Sequence, residues 1–294
     1  MSRHRIRSGA WIVTAVPAIL GLAIGCERPP FWPPPPDTRP LAYDGRPPSA
    51  WVAWLADRAQ EPWAALTAVG ALAAAVREKD APPDPRPREI RPDEEDREYQ
   101  RQLPYGLRTE PSERLVGRAT EADRVVLDDA RPRLLELAAD PRDELRAQSL
   151  CVLGSLGPRD EAERAAVRRG LADAAHHVRV CALHAAGTSS GAGDSMVQMV
   201  RGNLGDRDPE VRGAAVGALA GLAPGDARFV TDFGAALDDL EVSVRIKAAR
   251  ALARIGPAAR STTSKLEVRR DKAKTPTEQW EMRRALEAIA ARPE

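Results

Sequence analysis

Apolar residues return at helical spacing four times between Asp140 and Ile255, always at an interval of thirty-three residues. Asp stands at 140, 173, 206 and 239, and six residues after each comes Arg146, Arg179, Arg212 or Arg245, preceded by Leu145, Val178, Val211 or Val244. Counting from the Arg, the third position is Ser149, Ala182, Ala215 or Ala248, and the fourth is Leu150, Leu183, Val216 or Ala249. The seventh is Leu153, Ala186, Leu219 or Leu252, and the tenth Leu156, Ser189, Leu222 or Ile255. These positions fall on one side of a helix turning about 100° per residue. A fixed period of this length predicts stacked helical hairpins, none able to bury its apolar face alone. The chain reads as all-α, an α-α superhelix of about five to six hairpins.

The pattern predicts first helices over 121–138, 160–171, 194–204, 226–237 and 258–270, and second helices over 142–156, 175–187, 209–222, 241–255 and 276–291. Gly157-Pro158, Pro224-Gly225 and Gly256-Pro257 mark the joints between repeats. Asp208-Pro209 supplies an N-cap and a proline at the first helical position. The last helix departs from the interval, and Glu278, Arg283, Arg284 and Glu287 read as the polar outer face of a closing cap.

Ahead of this array, spanning 115–294, the chain changes texture several times. Residues 1–25 carry Arg3, Arg5 and Arg7 followed by an uncharged apolar run ending Leu22-Ala23-Ile24-Gly25-Cys26. This resembles a bacterial lipoprotein signal peptide, whose first mature residue is a Cys that takes diacylglycerol on its thiol, here Cys26. An uncleaved membrane anchor is the alternative, the run being only slightly short of a bilayer span. Either places the remainder in the cell envelope on the extracytoplasmic side. Residues 26–48 are a Pro-rich linker, with nine prolines between Glu27 and Pro48, suited to an extended spacer. Residues 49–79 form a helical hairpin, a degenerate repeat whose Trp51, Trp54 and Trp63 cover the open end of the stack. Residues 80–114 are a charged, Pro-rich insertion with too little apolar content to pack.

Val211-Arg212-x-x-Ala215-Val216-x-x-Leu219-x-x-Leu222 and Val244-Arg245-x-x-Ala248-Ala249-x-x-Leu252-x-x-Ile255-Gly256-Pro257 resemble the second helix of the HEAT-repeat family, including the HEAT-like repeats of phycobilisome lyases. The resemblance covers roughly 121–291, with a degenerate unit at 50–78. It implies that Asp140, Arg146, Asp173, Arg179, Asp206, Arg212, Asp239 and Arg245 form a ladder of hydrogen bonds between neighbouring repeats and are scaffold residues. It also implies that the side of the second helix opposite the core lines a concave surface.

On that side the second position after the Arg reads Gln148, Cys181, Ala214, Lys247, the fifth Cys151, His184, Gly217, Arg250, and the ninth Ser155, Thr188, Gly221, Arg254. Gln148, Cys151, His184, Lys247, Arg250 and Arg254 are therefore the candidate partner-binding residues. Within them, His177, Cys181 and His184 share one helical face and Cys151 holds the place of His184 one repeat earlier, a conceivable Cys2His2 site for zinc or copper. The plainer reading leaves both His solvated and both Cys at tight helix contacts. A Cys151–Cys181 disulfide is permitted by an oxidising envelope but needs Cα atoms closer than a one-turn offset readily gives. Gly187-Thr188-Ser189-Ser190-Gly191 matches a serine-hydrolase elbow as a string, yet follows a helix where a strand is required, at a joint of the repeat.

The chain balances 44 basic against 43 acidic residues, so it has no general attraction for polyanions. Residues 241–274 alone are strongly basic, with ten basic and three acidic side chains, a solvated end or a cradle for an acidic protein segment or anionic headgroups. Few aromatics and the envelope address argue against nucleic acid. The expectation is a non-catalytic scaffold that needs no cofactor, tethered to the membrane through Cys26 and binding another protein. The alternative is a metal-binding or lyase-type enzyme on the same repeats.

Overall fold

A computed structural model describes residues 40–78, 115–116, 120–189, 191 and 193–291. Residues 1–25, expected to be a signal peptide, Cys26, most of the Pro-rich linker and nearly all of the charged insertion lie outside the described residues.

The described chain begins with a short strand, β1 (Ala42–Tyr43), then α1 (Pro48–Ala56) and α2 (Trp63–Glu78). A second strand, β2 (Leu115–Val116), pairs antiparallel with β1, Ala42 opposite Val116 and Tyr43 opposite Leu115. The sequence pattern did not predict this ribbon. β1 ends in a two-residue turn, Asp44 and Gly45, both at positive φ, closed by two 3.0 Å hydrogen bonds exchanged between Tyr43 and Arg46. Asp-Gly is the favoured pair for such a turn because Gly accepts that φ without strain. Trp51 is buried and donates its indole N–H to the Tyr43 carbonyl at 2.9 Å. It stacks on Trp54, and the Arg46 guanidinium lies over both rings.

The hairpins follow. The first pairs α3 (Glu121–Asp128) and α4 (Arg131–Leu137) with α5 (Asp143–Leu156), and the next α6 (Glu161–Leu171) with α7 (His176–Gly187). Then come α8 (Asp194–Gly202) with α9 (Pro209–Leu222), α10 (Val230–Ala236) with α11 (Val242–Ile255), and α12 (Thr263–Lys272) with α13 (Pro276–Ala290). The second helices match the expected spans to within a residue or so. Several first helices are broken or shortened. The expected 121–138 helix stops at Asp128 and restarts at Arg131, where Pro132 occupies the first turn and has no N–H to continue the earlier ladder. Similarly, Ala227–Phe229 and Gly256–Thr262 are 3-10 segments ahead of α10 and α12.

Caps set the helix starts. Thr120 and Asp123 form a reciprocal capping box on α3, while Asp160, Asp208 and Thr275 accept backbone N–H groups at the starts of α6, α9 and α13. α5 and α11 end at Gly157 and Gly256, both at positive φ and both followed by Pro, which cannot extend a helix.

The core is continuous along the array. Leu145, Leu150 and Leu153 of α5, Val178 and Leu183 of α7, Val211, Val216 and Leu219 of α9, and Val244, Ala249 and Leu252 of α11 are all buried. The second helices form the tightly packed layer. A Cβ added to Gly187 would sit 2.9 Å from the Ala218 backbone, and one on Gly221 only 2.4 Å from the Gly187 carbonyl oxygen. First helices touch one another far less. The 79–114 segment interrupts the repeat phase in sequence but not the stack in space, because α2 packs directly on α5 as a preceding second helix would. Thr67 accepts a 3.0 Å hydrogen bond from Gln148 there.

Candidate functional site

One Arg per repeat forms the ladder that ties it to the next. Arg146, Arg179 and Arg212 reach forward twenty-seven residues to Asp173, Asp206 and Asp239, each through two hydrogen bonds of 2.7–3.1 Å. The same guanidinium donates Nη1 to the carbonyl of the Asp that opens its own repeat, at 2.9–3.0 Å. It also donates to the carbonyl one residue further on. Each Asp in turn accepts the backbone N–H two residues later, at 2.9 Å. A planar five-donor fork is what such a joint requires, since it satisfies two loop carbonyls and grips a carboxylate at once.

The ladder's ends differ. No Arg precedes Asp140 at the ladder spacing, position 113 being Glu, and its carboxylate takes the Arg142 side chain instead. At the other end Arg245 pairs with Glu278 at 2.7 Å. Glu278 is buried, not part of a polar outer face as its charge suggested, because it stands thirty-three residues after Arg245 in the place of the repeat's Arg and receives the pair there, the place of the repeat's Asp being filled by Lys272.

The carboxyls respond accordingly. Arg212 holds Asp239 below the usual carboxylate range against the opposing effect of burial. For Asp173 and Asp206 burial is the largest influence and works upward, but the Arg and the backbone N–H groups outweigh it and both end below that range. Arg142 lowers Asp140.

The face opposite the core does not run as a uniform surface. Gln148 is buried under α2, and Cys151 and Cys181 are fully buried. Second helices lie side by side, so positions two and five after the Arg point into the seams between them wherever the neighbouring helix is close. Gln148 and Cys151 are thus corrected from surface to seam residues. His184 is half-buried, its ring against the place a Cβ on Gly154 would occupy. Along α9 and α11 the face opens: Gly217 and Arg254 are exposed, and Ala214, Lys247 and Arg250 are partly so.

Cys151 and Cys181 are joined as a disulfide with Cα atoms 4.7 Å apart. The expectation that a repeat offset would hold them too far apart is overturned, and the reason is local. Small residues at the α5–α7 contact, Gly154 against Ala185 among them, let the two backbones approach more closely than ordinary helix packing. A disulfide has no thiolates to offer, which removes both sulfurs from the Cys151, His177, Cys181, His184 metal set. Among the described residues no three His, Cys, Asp or Glu side chains are grouped to hold a metal ion. His177 instead lies 3.5 Å from Asp143, and His176 3.9 Å from Asp208. Burial, then the nearby Asp208 charge, raises the Glu210 carboxyl. Ser189, the would-be nucleophile of the elbow string, is buried and donates to the Ala185 carbonyl at 2.9 Å.

Sequence reasoning missed the continuation of the open face onto α13. Trp280 and Arg283 stand thirty-three residues after Lys247 and Arg250, so the register was there to be counted, but Lys272 and Glu278 replace the Asp and Arg that mark the other repeats and so hid it. Arg250 donates to Glu281 at 2.6 Å, and Arg284 lies over the Trp280 ring, 5.5 Å from its centroid. Glu281 is buried, with one carboxylate oxygen lacking a hydrogen bond.

Among the described residues no helix is long and apolar enough to cross a membrane. No family model matches the sequence, and no curated protein matches it. Some solved structures are similar to it. A designed armadillo repeat protein in complex with the peptide (KR)4 is 17% identical, over 82% of this chain and 98% of that one, with a TM-score of 0.50. An engineered protein from a structural genomics consortium is 17% identical over 83% and 98%, with a TM-score of 0.49. The chain is a superhelical solenoid of helical repeats, and at this identity the likeness speaks for the fold alone.

Proposed function

We propose that this chain is a HEAT-like, lipid-anchored scaffold of the bacterial cell envelope that binds a protein partner on the second-helix face and acts by binding, not catalysis. The observation that carries the reading is the opening of that face on α9 and α11. There Gly217 has open space around it and Arg254 is exposed, while of the equivalent residues in the two preceding repeats Cys151 is buried in the seam and His184, Ser155 and Thr188 are half-buried. Tight packing between second helices and sparse contact between first helices support reading the second-helix layer as the inner one. The designed armadillo protein of similar fold holds a peptide, which supports a peptide-sized occupant here. A buried disulfide suits an oxidising compartment and so supports the extracytoplasmic address. The Gly25-Cys26 junction after an apolar run supports acylation.

A photo-crosslinker at Gly217 in growing cells tests the binding face, with one at Val125, exposed on α3, as control. A protein adduct reproducible from 217 and missing from 125 is expected. Identical adducts from both, or none from either, would remove the binding-face reading. Growth with labelled palmitate tests the anchor, and an unlabelled wild-type chain would contradict it.

A further inference from the structure

Charge is distributed very unevenly along the array. Residues 121–241 carry 21 acidic and 14 basic side chains, whereas 242–290 carry 5 acidic and 12 basic. The two stretches are therefore about −7 and +7, and the near-neutral whole conceals a strong polarity. Part of the positive end lies on the open second-helix face. α11 sets Lys247, Arg250 and Arg254 along one side, and α13 continues it with Trp280, Arg283 and Arg284.

Internal partners neutralise only some of this. Arg250 is bonded to Glu281, and Arg284 lies 3.7 Å from the same carboxylate. Arg254 and Arg283 are exposed and form no ion pair among the described residues. Counting Glu210, which interacts with Lys247, together with Glu281 and Glu287 against the five cations, the patch keeps a formal net charge of +2.

We infer that this patch receives an acidic, extended polypeptide segment, its carboxylates on Arg254 and Arg283 and its backbone or apolar side chains against Trp280. The inference rests on the binding-face reading and adds the partner's chemistry. Opposite charge across a binding surface steers encounter and selects the partner more than it raises affinity. Neighbouring helices lie about 10 Å apart, and an extended chain of polyproline II form rises about 3.1 Å per residue with three residues per turn, so that i and i+3 share one side. One helix-to-helix step thus spans about three residues, so acidic residues at i and i+3 match the α11-to-α13 step. Anionic lipid is disfavoured because a bilayer needs one continuous projecting basic surface. Here Arg254 and Arg283 belong to the second-helix layer, while Arg270 and Lys272 belong to the first.

The test is fluorescence anisotropy of the labelled peptide (DE)4 on the full chain in detergent, beside (KR)4, at low salt. Arg254→Glu/Arg283→Glu is the probing variant, since neither residue has an ion-pair partner among the described residues. Lys272→Glu/Lys274→Glu makes the same change of net charge on exposed residues outside the patch. Expected are binding of (DE)4 and not (KR)4, a loss of tenfold or more in the first variant, and a change within about twofold in the second, with thermal midpoints unchanged. Equal losses in both variants would show general electrostatics and overturn the site. Binding to phosphatidylglycerol vesicles that falls in the first variant while peptide affinity does not would reassign the patch to headgroups, the lipid anchor being common to both proteins. If (DE)4 fails to bind while the Gly217 crosslink stands, only the acidic chemistry is wrong; if both fail, the binding face falls as well.

Discussion

Removing the Cys151–Cys181 bridge should cost this protein several kcal/mol, and the cost can be divided into its causes. The two residues lie thirty apart in sequence, so the bond closes a loop of about 30 residues in the unfolded chain. Loop-closure entropy for that length amounts to about 3.6 kcal/mol at 25 °C, the model-dependent part of the effect. Truncating each fully buried Cys to Ala removes a sulfur as well, worth about 1 kcal/mol. Cys151→Ala should therefore destabilise by about 4–5 kcal/mol, and adding Cys181→Ala should cost only about 1 more, because the bond is already gone. The assay is urea unfolding of the oxidised protein followed by far-UV circular dichroism and by tryptophan fluorescence. With a slope of about 3 kcal/mol per molar urea, the single variant's midpoint falls by about 1.5 M. Reductant added to the native protein is a poor substitute, since both sulfurs are inaccessible until the chain opens. Thiol titration of the denatured, oxidised protein gives an independent check. With three cysteines in the sequence, only Cys26 can react, and acylation of Cys26 brings the number to zero. Two additional reactive thiols, or a single variant whose midpoint lies within 0.2 M, on the order of the extrapolation error, of the wild type, would refute the argument.

Four further outcomes follow from the ladder, the Glu210 carboxyl and the seams. Arg212→Ala strips Asp239 of its partner and two loop carbonyls of their donor, so it should destabilise by about 3–4 kcal/mol, with a double-mutant cycle against Asp239→Ala returning a coupling of about 1.5–3 kcal/mol; a coupling near zero in chemical denaturation would deny the rung an energetic role. Asp173, Asp206 and Asp239 have folded pKa values below the unfolded value of about 3.9, so their contribution is complete above that pH and is lost as pH falls through the folded values. Denaturant midpoints should thus decline below about pH 4, and less steeply in Arg212→Ala. Glu210 has the opposite sign: its raised pKa means the ionised form is penalised, fully so above the folded pKa and not at all below about 4.3. Glu210→Gln should therefore leave neutral-pH stability unchanged or improve it, and a loss at pH 7 that persists at pH 4 would contradict this. Gly221→Ala would set a Cβ 2.4 Å from a backbone oxygen and should cost about 1–3 kcal/mol by thermal or urea unfolding, whereas Gly217→Ala, facing open space, should be neutral or slightly stabilising.

What the chain's order of residues determined by itself is the helices, their pairing into hairpins and the stacking of those hairpins. Helix formation and burial of an apolar stripe are set within one turn or one repeat, and four copies of the unit average out local accidents such as Ser189 at a core position. The recurrence of Asp and Arg is equally plain in the sequence. That each Arg spans to the following repeat's Asp, and that Glu278 ends the row, belongs to tertiary structure. So do the properties of the face. Whether the second and fifth positions meet solvent or a neighbouring helix depends on how closely two backbones approach, and that distance is set by pairs such as Gly154 with Ala185 and Gly221 with Gly187, residues thirty or more apart in sequence. Helical periodicity assigns a side to each residue but carries no interhelical distance, so it placed Gln148 and Cys151 on a surface that the neighbouring helices cover. For the same reason the thirty-three-residue count could align Cys151 with His184 but not foresee Cys151 bonded to Cys181, or α2 resting against α5 across the intervening segment.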